Sequence, residues 1–301
     1  MGSASLAPVS TGSTTGRRAG SATGRRPRDT TGRRARDTCC MPIGSITRGT
    51  TGTNRLRRID RWIATSTALK RAEDPLVVDL GYGASATTTL ELHERLSRVR
   101  KDVELIGIEI DPARVALANK SAKDMVSFRL GGFEVPLPNG RKAAVIRALN
   151  VLRQYDESQV LENWHRMVDR LQPGGLLVEG TCNEVGRVAS WVDVAADGPQ
   201  RFTIALRLAE LERPSIVAER LPKVLIHRNV EGERVHELLI ALDRAWQIHA
   251  PLGVYGPSQR WIATVDTLKM NGWPVLTTRA RAKLGELTVT WSAVEPIGFS
   301  W

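Results

Sequence analysis

The stretch VVDLGYGAS, residues 77 to 85, constrains the fold of this chain more than any other. An apolar run is closed by Asp79, then by two glycines one residue apart, and an amphipathic segment begins near Thr88. A buried strand, a turn whose backbone is approached closely and a helix start account for that order. The turn needs a cause. A pyrophosphate, a nucleoside without phosphate, or tight packing alone would each demand glycine there.

The pattern recurs downstream. Residues 103–110 (VELIGIEI), 125–130 (MVSFRL), 143–152 (AAVIRALNVL) and 176–182 (LLVEGTC) read as buried strands. Residues 88–98, 112–120 and 156–171 read as helices, the second with Pro112 in its first turn. This alternation predicts an α/β fold, Rossmann-like and doubly wound, with helices on both faces of a mostly parallel sheet. Two later runs, 201–208 and 286–294, bring the expected sheet to seven strands. Between them, residues 210–284 carry the long amphipathic segment GERVHELLIALDRAWQIHA and read as a helical cap or insertion. Upstream, Leu56, Ile59, Trp62 and Ile63 share one stripe of a basic helix at the domain edge. The expected folded domain is 46–301.

Charge decides which partners deserve weight. The net charge of +11 is concentrated near the N-terminus, where residues 1–40 hold eight arginines against two aspartates, and residues 71–301 are neutral overall. An eight-residue unit recurs there (TGRRAGSA, TGRRPRDT, TGRRARDT), too polar to bury a core, so residues 1–45 are expected to be a disordered basic tail. The tail offers a grip for nucleic acid; an internal start at Met41 is the plainer origin of the repeat. No run approaches the ~18 apolar residues of a membrane span, and the N-terminus has no apolar signal region. Three cysteines form neither a disulfide framework nor a metal cage. The expected location is cytoplasmic, with no membrane partner and no metal.

The acids at the strand ends speak to ligand chemistry. Ligands of open parallel sheets sit beyond the carboxyl ends of the strands. A carboxylate two residues before the first glycine repels pyrophosphate but suits a ligand with amines and hydroxyls. Glu109 closes the second strand, where an acid can take both hydroxyls of a ribose. As a set, VVDLGYGAS, LIGIEID and the LQPGGLLVEG run (171–180) resemble the class I S-adenosylmethionine-dependent methyltransferases. That resemblance covers roughly 74–182. It implies S-adenosylmethionine as cofactor, held by Asp79, Gly81, Tyr82, Gly83, Glu109, Ile110, Phe133 and Asn150, with Glu134 as a further polar contact. The family's third glycine is Ser85 here, and strand four lacks the Asn-Pro-Pro-Tyr signature of base-amino methylation.

Methyl transfer from a sulfonium is an in-line displacement, so alignment matters more than acid–base chemistry. Asn150, Arg153 and Tyr155 follow strand four, where the methyl should emerge, and His227 in LIHRN is the histidine with most claim to act as base. Cys182 reads as a small buried residue, Trp191 and Trp273 as pocket lining, and residues 46–58 as a surface helix start or a lid. The expected activity is methyl transfer to a small-molecule acceptor. Two alternatives stay open: an RNA methyltransferase that grips with the basic N-terminus, and a non-catalytic nucleotide-binding module of the same fold.

Overall fold

The computed structural model describes residues 41–301. The repeat-bearing residues 1–40, and with them the expected nucleic-acid arm, lie outside the described residues. The strands are β1 Leu76–Leu80, β2 Glu104–Glu109, β3 Val126–Leu130, β4 Ala143–Leu149, β5 Leu171–Cys182, β6 Val188–Ala195, β7 Gly198–Leu206 and β8 Glu286–Thr290. The helices are α1 Arg57–Thr65, α2 Thr67–Lys70, α3 Thr87–Leu96, α4 Pro112–Asn119, α5 Val160–Val168, α6 Lys223–Ile226, α7 Arg234–Ile248, α8 Pro257–Met270 and α9 Arg279–Ala282.

All strands join one sheet in the order β3-β2-β1-β4-β5-β6-β7-β8. The first five are parallel, and β5 to β8 form an antiparallel meander. The sheet therefore has eight strands and is mixed, where the sequence suggests seven. The extra strand is β6. It is buried on both faces, so it shows none of the apolar–polar alternation that marks a half-exposed strand. Trp191, expected to line a pocket, lies in β6 and packs edge-on against Trp62 of α1, ring centroids 5.6 Å apart. The β5–β6 turn is closed by Asn183, whose amide donates to Val188 O and whose side chain accepts from the Arg187 and Val188 amides.

Helices cover both faces, as the alternation predicts. Leu56, Ile59, Trp62 and Ile63 bury the stripe of α1 against Leu92 and Leu96 of α3 and the odd-numbered side of β1. The start of α4 is fixed locally: Asp111 caps it by accepting from the Ala113 and Arg114 amides, and Pro112 takes the first turn. On the opposite face, Trp164 of α5 packs in the same core as Val192, Phe202 and Ile204 of the meander. Residues from α7 and α8, among them Leu238, Leu242, Trp246 and Trp261, belong to that core too. The segment between β7 and β8 thus forms the helical layer over the antiparallel half of the sheet.

One buried group on β5 is unusual. Glu179 is fully buried, and neither carboxylate oxygen has a hydrogen-bond partner among the described residues. Burial pushes its carboxyl up to about 8, so the folded chain holds this proton at neutral pH. Between the ordinary value of 4.5 and about 8, unfolding releases the proton, and stability falls as pH rises through that window. Glu179→Gln should remove this group's share of the slope, matching the wild type near pH 5 and exceeding it by a few kcal/mol near pH 8, while Asp60 and Asp193, each raised to about 6 by burial, keep theirs in both proteins. Urea denaturation at the two pH values reads the difference, and parallel slopes would show that Glu179 does not carry it.

Candidate active site

The parallel strands reverse direction of progression between β1 and β4, since β2 and β3 lie to one side and β5 to the other. At such a switch point the helices diverge and leave a crevice beyond the strand ends. Here the crevice is a cavity of about 370 Å³, lined by Asp79–Gly83 after β1 and by Leu149, Asn150, Arg153 and Gln154 after β4. Its other wall is the segment Thr47–Thr51, and Arg55, Glu184 and Arg220 close its mouth.

The glycines of the turn are required by conformation and by contact. Gly81 and Gly83 have φ of +69° and +89°, in the left-handed region. A Cβ on Gly81 would sit 2.6 Å from the Val151 side chain, and one on Gly83 would sit 3.0 Å from Gly49 O. Three of the turn's amides are also spoken for. Gly81 N donates to Ile108 O at 2.7 Å, Gly83 N to the Glu109 carboxylate at 2.9 Å, and Ala84 N to Gly49 O at 3.0 Å. A phosphate cradle needs such amides free and pointing at the ligand.

Asp79 stands directly opposite Arg147 on β4 in the parallel register. Arg147 Nε donates to Asp79 Oδ1 at 2.9 Å and its Nη2 to Oδ2 at 2.6 Å, while Thr89 Oγ1 donates to Oδ2 at 2.8 Å. Arg147 Nη1 also donates to Asp60 of α1, whose second oxygen accepts from Arg95 of α3. Asp60, Asp79 and Arg147 are all buried, so the cluster is a charge network of two carboxylates and two guanidiniums inside the fold. Burial opposes the charge on Arg147, but Asp79 and Asp60 outweigh it and hold the guanidinium above its ordinary value. Asp79 still lines the cavity, and of its four lone-pair positions three are filled, leaving one on Oδ1.

Glu109 and its neighbours form the other end of the crevice. The Glu109 carboxylate is buried, accepts from the Gly83 and Ile110 amides, and lies 3.6 Å from Arg114 Nη1. Beside it Ile110 and Phe133 make an apolar slot, with Phe133 edge-on to Tyr155 at 5.1 Å. Only about 20 Å³ remains open in this slot, because residues Ile43–Thr47 run through it as a strap. Phe133 N donates to Ile43 O, Ile43 N to Glu134, Gln154 to Ser45 O and Arg114 to Thr47 O. The Ser45 amide donates to the Tyr155 hydroxyl.

The structure therefore brings Asp79, Gly81, Gly83, Asn150 and Arg153 to the cavity, and Glu109, Ile110, Phe133 and Tyr155 to the slot. Tyr82 is among the cavity's lining residues while its ring packs on Phe128 and its hydroxyl lacks a partner among the described residues. Asn150, at φ +63°, accepts from the Cys182 amide and so pins the end of β5 to that of β4. His227 is not brought in: it bonds Lys223 on α6 and lines neither space. Trp273 packs in the core under α8 instead of lining the cavity. Sequence reading missed Arg147, although an arginine inside the apolar run AAVIRAL is itself a signal of a buried partner. It also missed Thr88, whose buried hydroxyl in the cavity lining lacks a partner among the described residues, and Arg220, which nothing local marks. Among the described residues no group of acids, histidines and cysteines could hold a metal ion, and no helix is long and apolar enough to cross a membrane.

No protein-family model and no curated protein matches the chain. Among solved structures, an O-methyltransferase from neocarzinostatin biosynthesis, crystallised with S-adenosyl-L-homocysteine and 1,4-dihydroxy-2-naphthoic acid, matches at 19% identity with a TM-score of 0.30. That match covers 41% of this chain and 40% of the other, so less than half of that enzyme's length is spanned. The CcbJ methyltransferase of Streptomyces caelestis matches at 18% identity and a TM-score of 0.33 over 52% of this chain and 68% of its own. Human N-acetylserotonin methyltransferase, solved with S-adenosylmethionine, matches at 22% identity and a TM-score of 0.29 over 44% and 39%.

Arg147→Met should lower the unfolding free energy by about 3–5 kcal/mol, because it leaves the buried Asp79 without a counter-charge and Asp60 with Arg95 alone. Urea denaturation measures this. A loss below about 1 kcal/mol would mean that the cluster is not an ionised network.

Proposed function

We propose that the chain transfers a methyl group from S-adenosylmethionine to a small-molecule acceptor bound in the cavity between β1 and β4. One observation carries the reading. The amides of Gly81, Gly83 and Ala84 are consumed by protein acceptors, while carboxylates stand at the ends of β1 and β2. The spent amides disfavour a pyrophosphate, and the two carboxylates, as hydrogen-bond acceptors, favour a phosphate-free ligand with an amine and a diol. The cavity, about 370 Å³, is of the size that holds small molecules.

The donor set fits the cofactor. Glu109 would accept from the ribose hydroxyls, Ile110 and Phe133 would flank the adenine, and Asp79 Oδ1 with Thr88 Oγ1 would take the amino-acid end. When bound, the cofactor supplies an electrophilic methyl group. The chain's own task is to align the acceptor with it and exclude water, which suits a cavity whose lining contains no histidine. The room does not yet fit: the strap Ile43–Thr47 fills the adenosine slot and has to leave it. Apparent affinity is then the intrinsic affinity scaled by the fraction of chains with the slot open.

Calorimetry on the full chain decides between ligands: S-adenosylhomocysteine should bind and NAD should not, and the reverse result would overturn the reading. Glu109→Ala should weaken S-adenosylhomocysteine by roughly 10- to 100-fold, the worth of hydrogen bonds to a charged group. Tyr155→Phe removes the hydroxyl that accepts from the Ser45 amide and so loosens the strap. It should tighten apparent binding; weaker binding would show that the strap closes over the ligand instead of competing with it.

A further inference from the structure

The mouth of the cavity carries more positive charge than its partners balance. Arg48, Arg55, Arg153 and Arg220 line it, against Glu184 and an Asp79 already neutralised from behind by Arg147. Arg153 has no carboxylate partner among the described residues; its Nη1 donates to the backbone oxygen of Glu219 at 2.9 Å. Arg220 reaches Glu184 only at 3.3 and 3.4 Å, and the Glu184 side chain is largely exposed. The two guanidiniums also work against each other. Burial first, then Arg220 and Arg48, hold the Arg153 guanidinium below its ordinary value. Like charges converging on one cavity are stabilised most readily by an anion between them.

Both side chains are mounted on fixed backbone. Arg153 sits in the tight turn Leu152–Gln154 that follows β4. The carbonyl of Arg220 accepts from the hydroxyls of Thr181 on β5 and Ser190 on β6, which anchors the end of the turn Pro214–Arg220 to the sheet. A second pointer is independent of charge: the hydroxyl of Thr51, in the wall segment Thr47–Thr51, is buried and has no partner among the described residues. That hydroxyl is left to donate to an oxyanion.

We propose that Arg153 and Arg220 form an anion subsite at the cavity mouth, which takes a carboxylate or phosphate group of the acceptor. Calling the ligand an acceptor rests on the methyl-transfer reading; the subsite itself does not. A cavity of about 370 Å³ with four arginines in its lining fits a small anion better than a polyanionic strand, which needs charge spread along an extended surface. Arginine's planar fork matches either oxyanion.

The test is thermal-shift and calorimetric titration of the full chain with inorganic phosphate and, separately, malonate, at ionic strength held constant with chloride. Wild type should bind at least one of the two, and which one tells phosphate from carboxylate. Arg153→Gln and Arg220→Gln should each weaken that binding by roughly tenfold or more. Arg207→Gln, at an exposed arginine outside the cavity, should leave it unchanged. Should Arg153→Gln fail to fold, Arg153→Lys keeps the charge and loses the fork, and weaker binding there serves the same purpose. Equal binding by wild type and the cavity variants, or none by wild type, overturns the subsite. So does an oligonucleotide that needs Arg153 while neither small anion binds. If anions bind and S-adenosylhomocysteine never does, the cofactor reading falls and the subsite stands.

Discussion

The ion pair between Asp79 and Arg147 is the constraint on which the candidate site depends. It joins β1 to β4 side by side, and through Asp60 and Arg95 it ties α1 and α3 to the same spot on the sheet. Desolvating four charges is costly, and the cluster persists because each carboxylate meets a guanidinium with direct hydrogen bonds. Its location matters more than its strength. The pair lies under the glycine turn, at the switch point where the crevice opens, so the charge network sets the floor of the cavity. A neutralised Asp79 presents the cavity with a polar surface without a net negative field.

The glycine turn and the strap are one packing problem. Gly81 is glycine because Val151 approaches it, and Gly83 because the Gly49 carbonyl does. With three of its amides donated to Ile108, Glu109 and Gly49, the turn has fewer left for a phosphate. The strap meanwhile occupies the slot beside Glu109 and Phe133 with peptide hydrogen bonds. Two halves of one crevice result: an open, arginine-rimmed cavity over the switch point, and a closed slot whose donors wait behind residues 43–47.

Much of the fold was legible from residue order. The apolar runs at Leu76, Glu104, Val126, Ala143 and Leu176 became the parallel strands, and Asp111-Pro112 started its helix where capping chemistry demands. β6 escaped because a strand buried on both faces has no period to detect, and its tryptophan suggested a pocket instead of a core. The candidate site was legible in its glycines and acids. It was not legible in the partners those acids choose. Nothing in the order of residues says that Asp79 faces Arg147 across neighbouring strands, that Tyr155 clasps the backbone at Ser45, or that His227, just past α6, bonds Lys223 and lines neither the cavity nor the slot.

What residue order determined was therefore local: hydrophobic period chose strand or helix, proline and aspartate placed helix starts, and glycine marked turns with left-handed backbone. Which charges cancel and which remain free was decided only by tertiary structure. Electrostatic pairing depends on distances of a few ångströms between groups scores of residues apart, and only the register of β1 against β4 fixes them. The same folding that neutralised Asp79 left Arg153 and Arg220 facing a cavity with too few anions.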